Sequence, residues 1–297
     1  MKFGFGTQIW LGDNHFENFY RMLDELALEG LDGVEICYPF LYQWYSRNPG
    51  ELRRLLDMHG LELSSYYVGV CFRDEDLHKS TVEEAKSRYR FMSELGYENV
   101  LIDEAYGALP LKCSLSDHIK RVAEGANLMG EFVNSLGLTL SWHNHWGNTF
   151  ETQEPFEEFA AQLDNNLCGL CIDVGQLKLG GFDEVSTVAR HAARIKFMHY
   201  KDVTFKGRPA GRLYPNGPEV PTNTGAYTVD AKGRWVELGR GEVDFPGVTK
   251  ALLDAGYDGW FVDDLDSTSY SARESVAACK DYLNNGLGIW TAKDRLK

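Results

Sequence analysis

One pattern constrains this chain more than any other. A short β-prone run, a turn and an amphipathic helical stretch recur eight times along 297 residues. The strand candidates are FGFGTQIW (3–10), GVEICY (33–38), ELSSYYVG (62–69) and NVLIDE (99–104), then LTLSWHNH (138–145), LCGLCID (167–173), IKFMHYKD (195–202) and GWFVDD (259–264). They are apolar on both faces, as parallel strands covered by helices are. Between them, FENFYRMLDELALEG (16–30), TVEEAKSRYRFMSELG (81–96) and HIKRVAEGANLMGEFVNSLG (118–137) carry the helical period. Gly30, Gly60, Gly96, Gly137 and Gly256 each stand just before a strand, where a left-handed helix stop feeds a short loop. Eight such units in one domain length predict an α/β fold, a closed (β/α)8 TIM barrel spanning 1–297 as a single domain. No G-x-G-x-x-G follows the first strand, which argues against a doubly wound sheet.

The connection after the seventh strand, 203–244, departs from the pattern. It is long and rich in Gly, Pro, Arg and Asn, the composition of a lid or partner-binding element on the catalytic face. Its Arg208 and Arg212, like Arg240, read as solvated rather than catalytic. Thirty basic against 44 acidic side chains give a net charge of −14, which repels phosphate backbones and excludes nucleic acid as a partner. The start, MKFGFGTQIW, has no long apolar run after a basic beginning, so no leader is expected, and no stretch approaches the roughly 18 apolar residues of a membrane span. A cytoplasmic protein with no membrane partner is expected. Six scattered cysteines include a C-x-x-C, Cys168 and Cys171, inside a strand candidate. An extended segment points residues three apart to opposite faces, so the pair reads as buried free thiols of a reducing compartment, not as a zinc or redox motif.

In such a barrel, polar residues at the C-terminal strand ends face one cavity. Here they are Glu35, Asp103 and Glu104, His143 and His145, Asp173, His199 with Lys201, and Asp263 with Asp264; Glu151 follows the fifth strand. Strands five to eight each supply a possible ligand. A carboxylate and imidazole set suits Mn²⁺, Mg²⁺, Co²⁺ or Zn²⁺. His143 and His145 share a face, as do His199 and Lys201, and a lysine aimed into a barrel mouth needs a partner. Glu35 can bind a substrate hydroxyl or pair with a loop arginine. Trp10, Trp142 and Trp146 can wall a sugar ring or fill the core.

These residues carry a resemblance. HNHWGNTFET (143–152) resembles an H-x-H followed by a Glu, CIDVGQLKLGG (171–181) a D-T-G-H segment, MHYKDV (198–203) an H-x-H-x-K-D, and GYDGWFVDDLDST (256–268) a G-W-x-x-x-E strand, with LGRGEVDFPGV (238–248) before the last helix. Together they resemble the xylose-isomerase-like superfamily of sugar isomerases, epimerases and dehydratases, nearest to inosose (2-keto-myo-inositol) dehydratases, from GVEICY to the end of the eighth strand. The resemblance implies one divalent metal, Mn²⁺ first, held by Glu151, Asp173, His199 and Asp264. It also implies that the Gln176 position contacts substrate; beside it, the strand-end reading puts Glu35 and Trp10 among the substrate candidates and His143, His145, Lys201 and Glu151 among the catalytic ones. The chain departs from the pattern at three places. His143 stands where the strand-five ligand is usually Glu and is an alternative to Glu151. Asp264 replaces a Glu, so that Asp263 or Asp266 can compensate. Gln176 replaces a His.

The implied chemistry is enolisation of a metal-chelated ketone followed by loss of a β-hydroxyl, with His145 and Lys201 as acid/base candidates, their roles not divided. The partner is a small polyhydroxylated molecule, with a homo-oligomer or partner subunit possible. The alternatives are a keto-sugar epimerase or isomerase, a β-eliminating C-glycoside subunit, and a metal-free sugar-binding barrel. An endonuclease of this fold needs more histidines than eight and a basic face.

Overall fold

A computed structural model describes residues 1–10, 15–36, 40–105, 107, 109–204 and 235–289. The strands are β1 (Lys2–Gly6), β2 (Gly33–Ile36), β3 (Glu62–Cys71), β4 (Asn99–Ala105), β5 (Thr139–His143), β6 (Cys168–Asp173), β7 (Ile195–Tyr200), β8 (Asp202–Val203), β9 (Trp235–Val236) and β10 (Trp260–Asp263). The first seven and β10 close a parallel barrel in the order β1-β10-β7-β6-β5-β4-β3-β2. β8 and β9 form a separate antiparallel pair above it. The chain is thus a single (β/α)8 barrel domain. At least one helix follows every barrel strand: α1 (His15–Glu29), α2 (Phe40–Tyr45) and α3 (Pro49–His59), α4 (Glu75–Leu95), α5 (Leu115–Ser135), α6 (Gln153–Gln162), α7 (Val174–Leu179) and α8 (Glu184–His191), α9 (Phe245–Asp254) and α10 (Ala272–Asp281).

Local chemistry sets the helix ends. Asp74 caps α4 by accepting from the Asp76 and Leu77 amides, and Ser271 with Glu274 forms a capping box on α10. The five glycines expected to stop helices all adopt φ between 63° and 77°. Strand ends differ from the sequence expectation at the barrel mouth. The first candidate stops at Gly6 and turns through a 3-10 segment at Gln8–Trp10, and the fifth stops at His143. There the Asn144 side chain takes over the sheet bonding: its Oδ1 accepts from Asp173 N at 2.9 Å and its Nδ2 donates to Asp173 O at 3.0 Å. His145 is thereby freed from the strand.

The core has two compartments. One lies inside the barrel and comprises Leu101, Cys171, Phe197, Trp260 and Val262, with Tyr67 against them. The larger one fills the layer between strands and helices and includes Cys168. The two cysteines of the C-x-x-C thus face opposite sides of β6, as the extended geometry dictates. Burial pushes the Cys168 thiol up to about 12 and Cys171 to about 11, so both stay protonated. Cys71, Cys113 and Cys279 are also free thiols, and Cys37 lies outside the described residues.

The stems of the long connection are tied down by Asp202. Its carboxylate accepts from the amides of Val203 (2.9 Å), Gly241 (2.7 Å) and Val243 (3.3 Å), which fastens the returning chain to the end of β7. Residues 205–234, with Arg208 and Arg212, lie outside the described residues. Among the described residues, no helix is long and apolar enough to cross a membrane.

Candidate active site

Alternation along the strands carries the polar residues to the mouth. On β7, Phe197 points into the barrel, so His199 does too, and Lys201 continues that face. On β6, Cys171 places Asp173 inward, and on β10, Val262 does the same for Asp264. His143 ends β5 beside them. One ligand-capable atom from each of His143, Asp173, His199 and Asp264 lies within 4.8 Å of every other, and all four residues are buried. His143 Nε2 is 3.5 Å from Asp173 Oδ2, and His199 Nδ1 is 3.9 Å from Asp173 Oδ2 and 3.7 Å from Asp264 Oδ2.

Hydrogen bonding leaves atoms of three of these residues over, whereas Asp264 accepts from Gln8 at Oδ1 and from Lys201 at Oδ2. Asp173 Oδ1 caps α7 by accepting from Gln176 N at 2.9 Å, but Oδ2 has no partner. Neither ring nitrogen of His143 has one, nor does His199 Nδ1. Buried polar atoms are rarely left unpaired, and here they converge on one point. Two imidazoles with two carboxylates offer two negative charges, a set matched to one divalent cation. The residues therefore fit a metal.

Charge around the cluster is unevenly distributed. Burial opposes ionisation of His143, and His199 and His145 add repulsion, holding its pKa well below the usual imidazole range. Burial works against the His199 cation too, but Cys171, Glu35 and Asp264 outweigh it and hold that pKa high. Lys201 is fully enclosed, with Nζ 2.7 Å from Asp264 Oδ2, 2.8 Å from Asp266 Oδ2 and 4.5 Å from the Trp235 ring centroid. Burial alone would lower its pKa; Asp264, Asp266 and Asp173 reverse that, and the ammonium stays charged. Asp266 supplies Lys201 with its own counter-charge.

Above the cluster lies a cavity of about 120 Å³ lined by Gln8, Glu35, Tyr67, His143, His145, His199, Lys201, Asp264 and Asp266. His145 Nδ1 is 2.5 Å from Trp146 O. A carbonyl only accepts, so Nδ1 carries the proton and Nε2 is the basic nitrogen. Gln8, Tyr67 and Asn144 were not singled out by the sequence. Gln8 donates to Asp264 Oδ1, an approach made possible by Gly6, where a Cβ would sit 3.1 Å from that oxygen. Tyr67 packs edge-on against His143 at 5.3 Å between ring centroids.

Several expected residues stand elsewhere. Glu151 is not in the ligand cluster: it sits on the loop before α6, where Gly147 N donates to Oε2 at 3.0 Å, and burial pushes its pKa up to about 7. His143, at the end of β5 itself, occupies the place expected for it. Trp10 belongs to the core, with Nε1 donating to Glu25 Oε2 at 2.7 Å and its ring edge-on to Phe5. Trp142 and Trp146 are core residues as well, Trp142 packing on Phe150 and Phe159. Gln176 does not line the cavity; its Oε1 accepts from Trp146 N at 3.1 Å and holds the loop after β5. Among the described residues Glu35 Oε2 accepts from His199 Nε2 at 2.9 Å and Ser65 Oγ at 2.5 Å, while Arg208 and Arg212 lie outside them. Asp263 points away from the mouth, toward Cys279.

The family model for xylose isomerase-like TIM barrels matches residues 23–282. The chain belongs to that family. Among its relatives is the inosose dehydratase of Geobacillus kaustophilus (strain HTA426), 25% identical over 287 residues, covering 92% of this chain and 88% of that protein. Among solved structures, the IolI protein with a bound zinc atom superposes with a TM-score of 0.76 at 18% identity, over 98% of this chain and 100% of that one. An L-ribulose 3-epimerase superposes with a TM-score of 0.74 at 16% identity, over 97% of this chain and 94% of that one. At those identities the structures bear on the fold alone. In this family member the ligand cluster sits at the C-terminal strand ends, the face where catalysis is found in barrels of this kind.

Proposed function

We propose that the protein is a divalent-metal-dependent lyase that dehydrates a keto-cyclitol or keto-sugar, an inosose first among them. The observation that carries this reading is the convergence of partnerless buried atoms of His143, Asp173 and His199 with Asp264 at the barrel mouth, beside a charged buried lysine. Those four residues would hold the metal. Its contribution would be that of a Lewis acid toward a ketone and the adjacent hydroxyl. Mn²⁺ is the ion of first choice; two imidazoles suit Mn²⁺, Co²⁺ or Zn²⁺ better than Mg²⁺. Relatives named inosose dehydratase, 25% identical to this chain over 287 residues in one case, support the substrate class.

The proton steps fall to two residues on the cavity wall. His145 Nε2 takes the proton from the carbon beside the ketone. The Lys201 ammonium gives a proton to the hydroxyl on the next carbon, which leaves as water. One C–H and one C–O bond break, one C=C bond forms, and the proton gained by His145 restores Lys201 through solvent. Asp264 and Asp266 together keep Lys201 charged, and Asp266 remains its partner where Asp264 turns to the metal. General acid–base catalysis of this kind contributes about 10²–10⁴ in rate.

The test is NMR of the manganese-loaded protein with 2-keto-myo-inositol in D₂O. One water lost per turnover is expected, with kcat falling roughly 10²-fold or more in His145→Ala and in Lys201→Met. Solvent deuterium entering the substrate without loss of water would contradict dehydration and point to an epimerase or isomerase.

A further inference from the structure

We infer that Glu35 is a positioning residue: it fixes His199 in the orientation that turns Nδ1, not Nε2, toward the metal. This rests on the metal reading above and assigns to Glu35 a task other than holding substrate. The geometry begins with an irregularity. β2 and β3 pair Val34 with Leu63 but Glu35 with Ser65, a one-residue shift in the register. Bulges of this kind re-aim side chains beside active sites. Without the shift Ser64 would stand opposite Glu35, on the other face of the strand. With it, Ser65 Oγ donates to Glu35 Oε2 at 2.5 Å.

Pinned there, the same oxygen reaches the mouth and accepts from His199 Nε2 at 2.9 Å, from a strand that is not a neighbour of β2 in the barrel. Both side chains are only 2% exposed, and burial strengthens the bond. A carboxylate only accepts, so Nε2 carries the proton and Nδ1 is left as the ligand atom. Nδ1 is the nitrogen that lacks a partner and lies closest to Asp173 and Asp264. Histidines that bind metals commonly donate their second N–H to a carboxylate in this way, which fixes the ring and raises its basicity.

Protein labelled with ¹⁵N-histidine and loaded with ¹¹³Cd²⁺ tests this directly. We expect ¹¹³Cd–¹⁵N coupling at His199 Nδ1 and a bound proton on Nε2. Coupling at Nε2 overturns the inference while leaving the metal reading intact, and wild-type protein that takes up no Cd²⁺ overturns both. Zn²⁺ affinity, measured by chelator competition, supplies a second readout. Glu35→Leu should weaken binding roughly 10- to 100-fold. Glu35→Gln, whose carbonyl oxygen can accept both hydrogen bonds, should stay within about threefold of wild type. Equal affinity in all three proteins, or equal loss in both variants, overturns the inference. If Glu35→Leu does not fold, the coupling in wild-type protein decides alone.

Discussion

At the scale of single residues, the account turns on His143 and Glu151. His143 is the last residue of β5, and the strand's alternation aims it at Asp173. Glu151 sits eight positions later, engaged by the Gly147 amide. His143→Ala should therefore lower metal affinity on the order of 10²-fold, while Glu151→Gln should leave it within about twofold. Metal content after dialysis against a graded chelator series distinguishes them, and loss of metal in Glu151→Gln would restore Glu151 as the ligand. The sequence made Asp173, His199 and Asp264 legible because inward-facing positions repeat every two residues on a strand. It could not place Glu151, because loop geometry has no such period. Gln8, Tyr67 and Asn144 were hidden for another reason: amides and phenols at strand ends carry no spacing that marks them.

At the scale of elements, ionic networks tie the strand ends to their helices. Glu104, on β4, accepts from Arg73 Nε at 2.9 Å, His118 on α5 at 2.6 Å and Thr149 N at 2.9 Å, joining the exits of β3, β4 and β5. Burial would raise its pKa, but the bonds from His118, Arg73 and Thr149 prevail and hold it down at about 2, against a usual 4.5. A depressed carboxylate pKa contributes stability above its unfolded value that is lost as pH falls toward the folded one. The contribution is on the order of 3 kcal/mol at neutral pH. Glu104→Gln should be less stable than wild type at pH 7, and the gap should shrink by about 2 kcal/mol at pH 3. Urea unfolding at the two pH values measures it; a gap independent of pH would contradict the assignment. The eight strands and the glycine stops were legible from composition and periodicity. The ends of β1 and β5 were not, since side chains such as Asn144 there replace backbone bonds. The register shift between β2 and β3 leaves no mark in the residue pattern either.

At the scale of the whole molecule, the barrel gathers onto one face residues that lie as far apart in sequence as Gln8 and Asp266. The rest of the chain supplies two cores and a strongly acidic surface, and neither constrains the chemistry. Fold and family follow from the repeats and from the match over residues 23–282, whereas the reaction rests on a few side chains at the mouth. The central claim is that one divalent ion belongs among His143, Asp173, His199 and Asp264. Anomalous diffraction from crystals soaked in Mn²⁺ tests it most directly. The account predicts one strong peak per chain, within coordinating distance of all four side chains. A peak on Glu151 or elsewhere, or none at all with Lys201 filling the place between Asp173 and Asp264, would contradict it.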